Sequence, residues 1–244
     1  MGVPMLGCDC AVCTSDNPRN RRYRPSVLLQ VPGGNILVDT TPELRLQLLR
    51  ERIKLVHAVL YTHFHADHLF GLDDIRLFPK KLGTALPVFC HPDTERVIHE
   101  TFPYAFRPVP NDPAYIVPDM QIRTLDGSPF EVLGETIRPI PLVHGKFHVF
   151  GFRIGNLAYC TDVSEIPEAS WPLLEGLDTL LLDCLRPTER HPSHFGLVEA
   201  MAVVKRVKPK KTYFTHLSHA WDDGDRSLLP PNVHLAYDGL RIDC

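Results

Sequence analysis

The chain has 244 residues, of which 44% are apolar, and its 26 basic and 29 acidic side chains give a net charge of −3. These values exclude a disordered tail, a collagen-like repeat and a strongly basic nucleic-acid coat. Thirteen histidines and seven cysteines stand out as metal-ligand types, and the odd cysteine count argues against a complete disulfide framework.

Taken along the chain, no window approaches the roughly 18 consecutive apolar residues of a membrane span. No charged and apolar leader precedes Cys8, so a cytoplasmic, reduced protein with no membrane partner is expected. The prolines are spread evenly and mark no linker, which predicts one compact domain over 1–244. Ser26–Val31 and Asn35–Asp39 flank Pro32-Gly33-Gly34 and read as a hairpin. Pro42–Arg52 reads as a helix with Leu44, Leu48 and Leu49 on one face and Pro42 in its first turn. Leu55–Thr62 is a buried strand running into His63, and Leu69, Leu72 and Ile75 recur at helical spacing. Pro87–Cys90 is a short strand, followed by a helix over Asp93–Thr101 capped by Asp93.

The second half repeats this style. Thr136–Pro141 leads to His144, Asn156–Cys160 to Asp162, and Thr179–Leu182 to Asp183-Cys184. Ser193 is read as the N-cap of a helix reaching Val207, with Leu197, Met201, Val204 and Val207 at helical spacing. Lys211–Thr215 is a strand ending at His216, and Val233–Tyr237 is a last strand. Strand, polar residue, helix, repeated, implies an α/β fold with its chemistry at strand ends.

Thr62-His63-Phe64-His65-Ala66-Asp67-His68 is the most informative segment. In an extended stretch side chains alternate, so His63 and His65 project to one side and can grip one cation. Asp67 and His68 follow as the chain turns helical and can reach a second. Two divalent ions close together need a shared anion to offset their repulsion. Asp162 is the candidate bridge, with His144 and His216 at other strand ends completing the shells. Near the N-terminus Cys8, Cys10 and Cys13 suit a tetrahedral structural zinc that needs one more ligand. His219 is that candidate, facing away from the site of His216.

The His63–His68 segment, with His144, Asp162 and His216 downstream in that order, resembles the signature of the metallo-β-lactamase superfamily. The resemblance implies a four-layer αββα sandwich and a dinuclear centre of zinc or manganese. His63, His65 and His144 would hold one metal, Asp67, His68 and His216 the other, with Asp162 bridging. Gly2-Val3-Pro4, the cysteine triplet, Thr215–His219 with Trp221-Asp222, and Tyr237–Leu240 narrow the likeness to the phosphoribosyl 1,2-cyclic phosphate phosphodiesterases. That family begins with a strand and glycine-rich turn, and this chain starts inside the turn.

The resemblance further implies hydrolysis of a small phosphodiester by a metal-bridging hydroxide, oriented by Asp67. His194 would be the general acid, and a position near a helix N-terminus independently suits a phosphate. An RNA-processing nuclease of the same superfamily and a non-catalytic metal-binding relative are the alternatives. Against them stand the lack of a long basic or glycine-rich arm and the presence of all seven ligands. Nucleic acid beyond nucleotides is not expected as a partner, and a homodimer is open. Cys90, Cys160 and Cys184 read as core, and Asp183 as a residue that orients a metal histidine. The run Arg19–Arg24 is either a solvated loop or an anion-attracting patch. Trp221 and Phe195 either stack on a ligand or pack.

Overall fold

A computed structural model describes residues 2–106, 119–188 and 191–244. The chain divides into two units, Pro25–Glu135 and a second made of Met1–Arg24 with Thr136–Cys244. In the first, β1 (Val27–Val31) and β2 (Gly34–Val38) pair antiparallel with Val31 opposite Gly34, so the turn is Pro32-Gly33, one residue shorter than the predicted Pro32-Gly33-Gly34. Helix α1 (Leu44–Arg50) is shorter than predicted and buries Leu44, whereas Leu49 is 60% exposed and lies off the packed face. Strand β3 (Ala58–Leu60) is fully buried. Helix α2 (Ala66–Leu69) and a 3-10 segment over Leu72–Leu77 follow, burying Leu69, Leu72 and Ile75 as their spacing requires.

Helix α3 (Phe78–Leu82) leads to β4 (Leu86–Cys90) and α4 (Pro92–Thr101). The cap of α4 is His91, whose Nδ1 accepts from the Asp93 amide at 3.2 Å, so Asp93 sits in the first turn and is not the cap. Strands β5 (Met120–Thr124) and β6 (Phe130–Val132) were not anticipated. The sheet order is β1-β2-β3-β4-β5, with every pair after the hairpin parallel. Its core gathers Leu37, Leu44, Val59, Tyr61, Leu72 and Ile98.

The second unit contains β7 (Glu135–His144), β8 (Phe147–Ile154), β9 (Leu157–Cys160), β10 (Thr179–Asp183), α5 (Leu197–Val207), β11 (Lys211–Thr215) and β12 (Val233–Leu235). Along the sheet they run β12-β11-β10-β9-β8-β7. The pairs from β9 to β12 are parallel and the two hairpins β7–β8 and β8–β9 antiparallel. Strand β8 escaped prediction because Gly151 interrupts its pattern. A Cβ there would lie 2.8 Å from the Tyr159 carbonyl oxygen, so glycine is demanded by close strand packing.

Helix α5 begins three residues later than predicted, with Gly196 in the capping position read for Ser193. The Leu185 amide donates to the Phe195 carbonyl and Arg186 bridges to Gly196, which holds this stretch extended. Gly196 is the cap, its amide donating to Glu199 Oε2 at 3.2 Å, and Ser193 lies outside the helix. The buried face is Ala200, Val203 and Val204, each valine contributing roughly 1.5–3 kcal/mol of burial. Cys90, Cys160 and Cys184 are core residues, and Phe195 and Trp221 pack there too, the Trp221 indole donating to the Cys184 carbonyl at 2.9 Å. Among the described residues no helix is long and apolar enough to cross a membrane.

Candidate metal centre

His144, Asp162 and His216 sit at or just beyond strand ends, His63 and His65 lie between β3 and α2, and Asp67 and His68 are in α2. That placement follows from the alternation of apolar strand and polar terminus: the strand is rigid and buried, and its end carries the side chain out of the core. In the first unit the ring Nε2 of His63 and Nδ1 of His65 lie 3.0 Å apart. Adjacent ligands of a tetrahedral zinc at about 2.0–2.1 Å are separated by roughly 3.3 Å, so the two nitrogens fit one cation. His68 packs its ring 4.4 Å from that of His63, and its Nε2 is 4.0 Å from Asp67 Oδ2.

Behind these ligands stands Asp39, fully buried at the end of β2. Its Oδ2 accepts from His68 Nδ1 and from the Thr62 hydroxyl, both at 2.8 Å, and its Oδ1 accepts from the Thr62 amide. Thr62 Oγ1 in turn lies 3.0 Å from His63 Nδ1. One carboxylate therefore fixes two imidazoles, each by the nitrogen turned away from the ligand side. Burial pushes the Asp39 carboxyl up, opposed by His68 and by the Thr62 donors. Sequence reasoning missed its role. The signal was a lone acid ending an apolar run.

In the second unit three imidazoles converge on Asp162. Its Oδ1 is 3.5 Å from His216 Nε2, 3.8 Å from His144 Nε2 and 3.9 Å from His194 Nε2. The opposite nitrogens are held from behind. His144 Nδ1 bonds the Ser193 carbonyl at 2.6 Å, and His194 Nδ1 bonds Asp183 Oδ2 at 2.9 Å. Asp183 Oδ1 lies 4.0 Å from His216 Nδ1, and the His194 and His216 rings stack at 4.7 Å. Burial pushes Asp183 well above the usual carboxylate range, against the pull of His216, and burial lowers His144. His194 is also close enough to His144 and Asp162 to share a cation with them.

Three of these residues, Asp39, Asp162 and His216, have φ of 65°, 56° and 56°. Left-handed backbone at a non-glycine residue costs about 1–3 kcal/mol, and here it turns strand ends so that polar side chains leave the sheet direction.

The cysteine cluster is closed and separate. His219 Nδ1 lies 3.2, 3.5 and 3.6 Å from the Sγ atoms of Cys8, Cys10 and Cys13. A tetrahedral zinc with Zn–S of about 2.3 Å and Zn–N of about 2.0 Å has an S–N edge near 3.5 Å, so this donor set fits zinc. The Cys13 amide lowers the Cys10 thiol to about 6, favouring thiolate, while burial raises Cys13. His216 lies beside Asp162, whereas His219, three residues on, lies among the three thiols. Within the basic run, Arg22 is buried and donates to the carbonyls of Trp221 and Ser218, so it is structural.

A family model described as a beta-lactamase superfamily domain matches residues 34–217. Among solved structures the chain is similar to one described as a new diphosphatase from the PhnP family. The two are 42% identical with a TM-score of 0.91, covering 100% of this chain and 93% of that one. Among curated proteins it is similar to an octanoyltransferase of Porphyromonas gingivalis, 33% identical over 249 residues. That match covers 98% of this chain but 49% of the relative, so the chain spans about half that protein's length. It is also similar to a ribonuclease Z of Azobacteroides pseudotrichonymphae, 27% identical over 98% of this chain and 97% of that protein.

Proposed function

Since this chain belongs to the metallo-β-lactamase superfamily, and within it to the PhnP family, we propose that it hydrolyses a small phosphodiester, a cyclic ribose phosphate or cyclic nucleotide. The observation that carries the reading is the convergence of the His144, His194 and His216 Nε2 atoms on one oxygen of Asp162. We assign His63, His65 and His144 to one divalent ion and Asp67, His68 and His216 to the other, with Asp162 shared. Cys8, Cys10, Cys13 and His219 hold a structural zinc, and the whole chain acts as one hydrolase domain in a reducing, cytoplasmic setting. When bound, the active-site cations, zinc or manganese, supply Lewis acidity toward water and the phosphoryl oxygens.

The chain's own residues then have distinct tasks. Asp39 and Asp183 fix imidazole tautomers from behind, so that the outward nitrogens face the reacting group. Asp67, about one-third exposed, orients the attacking water from the open side. His194 shares a proton with Asp183 along the 2.9 Å bond, which stabilises its imidazolium and presents Nε2–H to the departing alkoxide. The diphosphatase relative supports phosphoryl chemistry, and the ribonuclease Z relative supports the second reading, an RNA-processing nuclease.

The test is a turnover panel on metal-reconstituted protein: ribose 1,2-cyclic phosphate, 2′,3′-cyclic nucleotides, a bis-aryl phosphate, a precursor tRNA and a β-lactam. Turnover of the cyclic diesters is expected. Cleavage of the tRNA in preference to them favours the nuclease, and turnover of the β-lactam alone overturns both.

A further inference from the structure

A recess of about 400 Å³ in the second unit is lined by Arg19, Lys211, Tyr213, Arg226, His234 and Tyr237. Lys211 and Tyr213 share one face of β11 by strand alternation, and Tyr213 is paired with His234 of β12, their rings 5.3 Å apart. Lys211 opens β11 and His216 follows its far end, five residues or about 16 Å along the strand. The recess is therefore distinct from the Asp162 cluster.

Its charge is organised. Arg19 Nη1 lies 3.8 Å and Arg226 Nη2 3.4 Å from the carboxylate of Asp223, which is 8% exposed. One buried acid thus holds two guanidinium groups that remain 43% exposed. The Arg19 guanidinium also lies 4.1 Å over the Tyr237 ring. Each guanidinium has five donors, so one carboxylate cannot satisfy both. Lys211, exposed at the start of β11, adds a third cation to the lining. Three cations against one carboxylate leave an excess that matches a phosphate dianion. The aromatic walls match a planar base, and a recess of about 400 Å³ has room for a mononucleotide.

We propose that this recess binds a nucleoside monophosphate, its phosphate among Lys211, Arg19 and Arg226 and its base against Tyr213 and Tyr237. The site stands independently of the catalytic reading. The test is calorimetric titration of the metal-loaded protein with adenosine monophosphate, together with photolabelling by its 8-azido analogue and peptide mapping. Label is expected on Tyr213 or Tyr237 themselves, placed to the residue by fragmentation of the labelled peptides. Lys211→Glu, at an exposed strand start, should weaken binding by about tenfold or more, because a charge-assisted contact becomes a repulsive one. Arg226→Ala should weaken it as well, with melting curves showing both variants folded. Label confined to the His63–His68 segment or to His216 itself overturns the proposal. So do affinity unchanged in both variants, inorganic phosphate binding as tightly as the nucleotide, and absence of binding.

Discussion

At the scale of single residues, the imidazoles are instruments aimed by acids behind them. Asp39 holds His68 directly and His63 through Thr62, so its charge matters more than its size. Asp39→Asn should lower affinity for the active-site metals by about 10–100-fold, read by competitive metal titration. An unchanged affinity would mean that Asp39 serves packing alone. His194 has two competing roles, proton donor and ligand, because it reaches both Asp183 and Asp162. His194→Ala is expected to cut kcat by about 10²–10⁴-fold at unchanged metal content. Loss of a metal equivalent instead would make it a ligand.

At the scale of elements, the strand ends that present ligands depend on tight joints. Gly71, between α2 and the 3-10 segment, has no room for a Cβ, which would fall against the Thr41 carbonyl oxygen. Gly71→Ala should therefore destabilise by about 1–3 kcal/mol, measured by denaturant midpoint, since the obstacle is backbone. Much of this scaffold was legible beforehand. The hairpin at Pro32-Gly33, the strands before His63, Asp162, Asp183 and His216, and the buried spacing of Leu69, Leu72 and Ile75 all follow from apolar patterning. What was hidden depended on distant partners. Gly151 looks like a strand breaker until Tyr159 is packed over it, Ser193 looks like a cap until Phe195 pairs with Leu185, and Asp39 looks like a turn acid until Thr62 and His68 reach it. The left-handed backbone at Asp39, Asp162 and His216 is likewise set by context and not by residue type.

At the scale of the whole molecule, the two proposed metal sites, one catalytic and one structural, would divide the labour. The thiol cluster ties the N-terminal segment to His219, so its loss should loosen structure without altering the catalytic ligands. Cys10→Ser is expected to release one zinc per chain and lower Tm, by about 2–4 °C for each kcal/mol of binding lost. Turnover per remaining folded molecule should be retained. On the proposed assignment, two sites with different chemistry would account for the excess of histidine and cysteine in an otherwise ordinary composition. The measurement that tests this most directly is the rate of cyclic phosphodiester hydrolysis as metal is added back to fully stripped protein, with bound metal counted at each step. The first equivalent should fill the thiol site and leave the rate near zero. Activity should rise with the next two and then plateau. Full metal occupancy without any phosphodiester turnover, or full activity after a single equivalent, would contradict it.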